Sequence, residues 1–167
     1  RHPNPQQRGE LYTPVNMIAI RPLTIPTPNV TNSERRDTMQ TQVNGITIAY
    51  NDHGVGLPIV FLHAFPLNRS MWARQEATLS SQFRVITIDL RGHGESDAPL
   101  WHYTLEQSAD DVCALLDRLK IQQAIFTGLS MGGYILFAFY RKYAARVKGL
   151  VLADTKAQPD TAEGKDG

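Results

Sequence analysis

The residues best suited to chemistry in this chain are Gly128-Leu129-Ser130-Met131-Gly132-Gly133. They lie between a β-like apolar run, Ala124-Ile125-Phe126-Thr127, and a long apolar segment beginning at Tyr134. A Gly-x-Ser-x-Gly pattern at a sharp strand-to-helix turn lifts a serine hydroxyl above the end of a sheet, where a substrate can meet it. Such a turn strains the serine backbone. The residues two positions away must then be small, or their Cβ atoms collide with the flanking strand and helix. Gly128 and Gly132 meet that need, and Gly133 is expected to add slack. The alternative is a glycine-rich turn with an incidental serine, which the strand-before, helix-after context disfavours. The single cysteine, Cys113, sits in Val112-Cys113-Ala114-Leu115-Leu116 on an apolar helical face and reads as a buried structural thiol. One cysteine excludes an internal disulfide and a cysteine zinc site. Neither glycine-rich nucleotide-loop pattern occurs.

The elements needed to hold that serine are legible in order. With 167 residues, 42% hydrophobic, the chain has room for one ordinary domain. A net charge of +1 gives no reason to expect nucleic acid or an anionic membrane as partner. No apolar run approaches the roughly 18 residues of a membrane span, and the patch near Val15 to Ile20 is too short for a signal peptide, so a cytoplasmic location is expected. Residues 1–38 scatter Pro3, Pro5, Pro14, Pro22, Pro26 and Pro28 through polar sequence without a sustained period. They read as a disordered or vestigial extension, with Met39 as the true start.

Residues 39–156 form the organised core. Thr41-Gln42-Val43 and Ile46-Thr47-Ile48-Ala49-Tyr50 flank Asn44-Gly45, a strong hairpin signal. Asn51 to Leu57 reads as a loop, and Pro58-Ile59-Val60-Phe61-Leu62 as a strand covered on both faces. Met71 to Ser81 is expected to be a helix packing Trp72, Gln75, Glu76 and Leu79 on one side. Arg84-Val85-Ile86-Thr87-Ile88 is the next strand, ending in Asp89 to Ser96. Thr104 and Gln107 form a capping-box pattern before a helix carrying Val112, Leu115, Leu116 and Leu119. The segment from Tyr134 to about Tyr143 is apolar almost all round and reads as a buried helix, with Tyr134, Phe137 and Tyr140 as core. Lys148 to Ala153 is the last strand. Strands alternating with helices predict an α/β fold with a doubly wound, mostly parallel sheet. Residues 157–167 read as a polar tail, the start of a missing cap.

Ligands in such sheets bind at the carboxyl ends of the strands. Three of those ends carry unusual sequence: His63-Ala64-Phe65-Pro66, Asp89 to Ser96, and Gly128 to Gly133. Their order and content resemble the α/β-hydrolase family over residues 40 to about 156. Asp89 reads as a carboxylate tying down the Arg91 to Ser96 turn, Arg91 and Glu95 as a solvated pair, and His93 as structural or exposed. The resemblance implies Ser130 as nucleophile and the backbone N–H groups of Met131 and Phe65 as oxyanion donors, with His63 bracing the loop. Ala64 stands where the family's His-Gly-x-Pro motif has glycine. The family orders its triad serine, acid, histidine. All five histidines here, His2, His53, His63, His93 and His102, precede Ser130. Asp154 stands where a minority of relatives place the acid. The expectation is therefore an N-terminal portion of such an enzyme, truncated after about the sixth strand.

The residues of those segments, with Leu-Ala-Asp-Thr, look similar to serine esterases, enol-lactonases and cofactor-free haloperoxidase-like enzymes. A serine at the elbow argues against the haloalkane dehalogenase and epoxide hydrolase branches. The resemblance implies a small-molecule ester or lactone substrate and no metal or organic cofactor. The competing expectation is a non-catalytic remnant lacking the triad histidine.

Overall fold

The computed structural model describes residues 38–100 and 102–156. The expectations for residues 1–37 and 157–167 lie outside these described residues. Six strands, β1 (Met39–Val43), β2 (Ile46–His53), β3 (Pro58–Leu62), β4 (Arg84–Ile88), β5 (Ala124–Leu129) and β6 (Val147–Ala153), form a sheet in the order β1-β2-β4-β3-β5-β6. The helices are α1 (Ala73–Leu79), α2 (Leu105–Arg118) and α3 (Met131–Tyr143). β1 and β2 are antiparallel because a two-residue turn joins them, with left-handed backbone at Asn44 (φ 46°) and Gly45 (φ 79°). β3, β4, β5 and β6 are mutually parallel, since each connection between them passes through a helix. This is the mostly parallel, doubly wound sheet that the alternation predicts.

Side chains alternate across the central strands, as the two-residue period requires. Val60 and Leu62 of β3, Ile86 and Ile88 of β4, and Phe126 of β5 join the large core under α2 and α3. Ile59, Phe61 and Val85 face the other way, against Trp72. Register aligns Val85, Ile59 and Ile125 in one cross-strand row and Ile86, Val60 and Phe126 in the next. Both faces are thus covered, which explains the continuous apolar runs of β3 and β4.

Several local expectations need correction. The polar residues Asn51, Asp52 and His53 belong to β2, paired with Thr87, Ile86 and Val85 of β4. Their side chains have polar partners: Asn51 Nδ2 donates to Glu76 at 3.0 Å, and Arg84 Nε donates to Asp52 at 3.0 Å. The first helical segment begins earlier and is broken, with a 3-10 turn at Arg69–Trp72 before α1. Gln75 is exposed, whereas Glu76 is buried against Thr87 Oγ1 at 3.0 Å. α3 is not buried all round: Tyr134 and Tyr140 are exposed, because only the side carrying Ile135, Leu136, Ala138 and Phe139 meets the core. The capping box at Thr104 is formed, with Gln107 N–H donating to Thr104 Oγ1 at 3.1 Å and Thr104 N–H to Gln107 Oε1 at 2.9 Å. Among the described residues no helix is long and apolar enough to cross a membrane.

Candidate active site

β5 ends at Leu129 and α3 begins at Met131, leaving Ser130 as the single residue that turns the chain. It does so with φ 49° and ψ −110°. A non-glycine residue in such a region costs on the order of 1–3 kcal/mol and persists only when its surroundings over-determine it. Here they do. The Ser130 N–H donates to the Ala153 carbonyl at 3.0 Å, at the end of the neighbouring strand β6. Its own carbonyl accepts from Gly133 N–H at 2.9 Å, Tyr134 N–H at 3.2 Å and Thr155 Oγ1 at 3.0 Å.

The glycines are required by close approach. A Cβ on Gly128 would lie 2.6 Å from the Gly132 carbonyl carbon, and one on Gly132 would lie 2.4 Å from the Leu62 carbonyl oxygen at the end of β3. Gly133 does not supply slack as expected. A Cβ there would stand 2.1 Å from Thr155 Oγ1, so the glycine makes room for a side chain that follows β6.

The second part of the site is the loop after β3. The register Leu62↔Gly128 carries this loop and the Ser130 turn to the same end of adjacent strands. His63 is wholly buried; its Nε2 accepts from Leu90 N–H at 3.1 Å, and its Nδ1 lies 2.9 Å from the Ala64 carbonyl. That pattern suits a neutral ring protonated at Nδ1, and burial lowers the pKa of His63 from its ordinary value. The bracing role expected of His63 agrees with these bonds. A tight turn follows, with Leu67 N–H donating to the Ala64 carbonyl at 2.9 Å and a cis Phe65–Pro66 peptide. Ala64 is buried, and the close approach to the serine turn is made by Gly132 against Leu62 and His63. The Phe65 amide donates to no main-chain carbonyl among the described residues. Met131 is the first residue of α3, where amides have no intrahelical acceptor and face the positive end of the helix dipole. Asp154 follows β6 with φ 47° and an exposed side chain.

The loop after β4 locks both sides of the Phe65 loop. Asp89 is fully buried and accepts from Glu95 N–H at 2.8 Å, as expected of a turn-tying carboxylate. It also accepts from Arg69 N–H at 2.7 Å and forms an ion pair with the Arg69 guanidinium. His93 is half-buried, its ring 5.0 Å from that of His63 and edge-on to that of Phe65 at 5.9 Å. Arg91 and Glu95 are not a solvated pair. Arg91 is buried and grips Asp111 of α2 through Nε at 2.6 Å and Nη2 at 2.7 Å. Glu95 pairs instead with Arg69 at 2.7 Å, and that hydrogen bond holds its carboxyl below the usual range.

Arg69 and Asp111 were not singled out by sequence reasoning. Asp111 carried a signal, a charged residue on the stripe that also holds Ser108, Val112 and Leu115. Arg69 sits in a short polar turn and carried none. Cys113 is buried, and burial raises its thiol pKa, as a structural cysteine requires. Among the described residues no group of three or more His, Cys, Asp or Glu is placed to hold a metal ion.

The geometry has clear counterparts in known proteins. A family model described as the alpha/beta hydrolase fold matches residues 58–166. The AB hydrolase superfamily protein YisY of Bacillus subtilis is 40% identical over 114 residues, covering 67% of this chain and 42% of its own length. 3-Oxoadipate enol-lactonase 1 of Acinetobacter baylyi is 36% identical over 135 residues, covering 81% of this chain and 47% of its own. Among solved structures, a thermophilic esterase from Thermogutta terrifontis superposes with a TM-score of 0.72 at 44% identity, covering 78% of this chain and 50% of the esterase. This chain therefore spans about half the length of the relatives it matches.

Proposed function

Because the chain belongs to the α/β-hydrolase fold family, we propose that Ser130 is the nucleophile of a carboxylic-ester or lactone hydrolase. The observation that carries this reading is the Ser130 backbone itself, held at φ 49° between β5 and α3 by bonds from β6, α3 and Thr155. Strain retained at such cost favours a serine whose direction matters. The esterase and enol-lactonase among the similar proteins favour carbonyl substrates.

In the proposed reaction the Ser130 oxygen bonds to the carbonyl carbon of a small ester or lactone, and the carbonyl electron pair moves onto its oxygen. The amides of Phe65 and Met131 are the proposed donors to that oxyanion; removing one such donor typically costs about 10²–10³ in rate. The Ser130 hydroxyl gives up its proton as the bond forms; collapse breaks the bond to the leaving oxygen, which departs as the alcohol with that proton and leaves an acyl group on Ser130. Water then cleaves it to the acid and restores the hydroxyl. Asp154 is the candidate acid for orienting a base.

A second reading, a hydrolase-fold portion without turnover of its own, rests on the histidines. Both ring nitrogens of His63 are engaged by Leu90 and Ala64, and His93 Nδ1 lies 3.0 Å from the Arg91 carbonyl. A serine without an adjacent base is a weak nucleophile. The two readings separate in one assay with p-nitrophenyl acetate. The hydrolase reading expects nitrophenolate release that disappears in Ser130→Ala. Turnover by these 167 residues should fall about 10³-fold or more below that of the Thermogutta esterase, as loss of a triad member does. Release at equal rates from both variants would contradict the nucleophile assignment.

A further inference from the structure

Beyond the serine turn, we propose that Thr155 is a positioning residue for Ser130 and for the Met131 amide; the functional part of this rests on the reading of Ser130 as nucleophile. β5 and β6 are paired up to Leu129↔Ala153. At the next step both chains turn left-handed, Ser130 with φ 49° and Asp154 with φ 47°. A regular ladder cannot continue through that divergence. The Thr155 side chain bridges it, its Oγ1 lying 3.0 Å from the Ser130 carbonyl and 3.1 Å from the Ala153 carbonyl. Ala153 O also receives the Ser130 N–H, so the two strand ends are clasped on either side of the strained residue. Gly133 makes the clasp possible, since any Cβ there would occupy the place of the Thr155 hydroxyl.

The consequence follows from the rigid peptide unit. The carbonyl of Ser130 and the N–H of Met131 belong to one planar group and point in opposite directions. A bond that fixes the carbonyl therefore fixes the direction of the Met131 N–H, the proposed oxyanion donor. The Gly133 and Tyr134 amides hold that carbonyl from within α3. Thr155 holds it from outside the helix, and so ties the rotation of the peptide to the end of β6.

The test uses the full chain and three variants. Thr155→Val keeps the shape and removes the hydroxyl, and Thr155→Ser keeps the hydroxyl. Thr155→Cys, a poor donor of similar size, replaces the valine variant if that does not fold. Three quantities are read: amide hydrogen exchange at Ser130, the rate of fluorophosphonate labelling, and the melting midpoint. Loss of the hydroxyl should speed exchange at Ser130 and slow labelling by about fivefold, the Boltzmann factor of one ordinary hydrogen bond, with a fall in the melting midpoint of only about 2–4 °C. Thr155→Ser should restore both. Unchanged exchange and labelling in the valine variant would overturn the proposal, as would equal losses in valine and serine. If no variant labels, the reading of Ser130 as nucleophile fails, and exchange alone decides the role of Thr155: faster in valine and restored in serine sustains the clasp, unchanged in valine removes it.

Discussion

At Gly132 the obstacle to any side chain is main chain, the Leu62 carbonyl oxygen 2.4 Å and the His63 carbonyl oxygen 3.0 Å from an added Cβ. Nothing there can swing aside. Gly149 on β6 is the opposite case, where an added Cβ would meet only the Ile125 side chain at an ordinary 3.7 Å. Urea unfolding should separate them: Gly132→Ala destabilises by about 1–3 kcal/mol or more through overpacking, while Gly149→Ala is neutral or stabilising by up to about 1 kcal/mol. Equal effects at both positions would mean that the approach of β3 to the serine turn is looser than described. At this scale the sequence was read well where spacing implies geometry, as at Gly128, Ser130 and Gly132. It was read poorly where the reason lies far along the chain. Gly133 looked like slack because its neighbour, Thr155, is distant in sequence and close only through β6.

Elements are tied to the site by buried charges rather than by apolar contact alone. Arg91, on the loop after β4, is only 6% exposed and pairs with Asp111 of α2, which also accepts from Asn44 Nδ2 in the β1–β2 turn at 2.9 Å. Removing one member of such a pair strands the other charge, at a cost of about 3–5 kcal/mol. The Arg141–Glu106 pair between α3 and α2 has both side chains more than half exposed. Pairs of that kind contribute about 0–1 kcal/mol. Asp111→Ala should therefore lower the melting midpoint markedly and Glu106→Ala hardly at all; the reverse order in a thermal scan would contradict the burial assigned to Arg91. Helix α2 was legible because its cap and its apolar period agree. α1 was legible only in part, since Glu76 is buried by polar partners on β2 and β4 that no local pattern announces. The same polar contacts explain why the end of β2 resembles a loop in sequence.

Taken whole, the molecule brings the ends of β3, β5 and β6 together through strand order alone. That order places Phe65, Ser130–Met131 and Asp154–Thr155 at one end of the sheet, although they span 90 residues of sequence (155 − 65). The fold class was accessible from alternation of strand and helix, because each parallel step needs a crossover. The clasp was not, because it depends on two left-handed residues meeting across a strand pair. In the proposed reaction this arrangement makes the Ser130 hydroxyl the acylated group. The most direct test is to treat the folded chain with a fluorophosphonate, then locate the adduct by peptide mass mapping. Labelling is expected to be slow, as for a serine without an adjacent base, and to fall on a single group, the Ser130 hydroxyl, with none in Ser130→Ala and melting unchanged. An adduct on another residue, or labelling that survives in the alanine variant, would contradict the proposed role of Ser130.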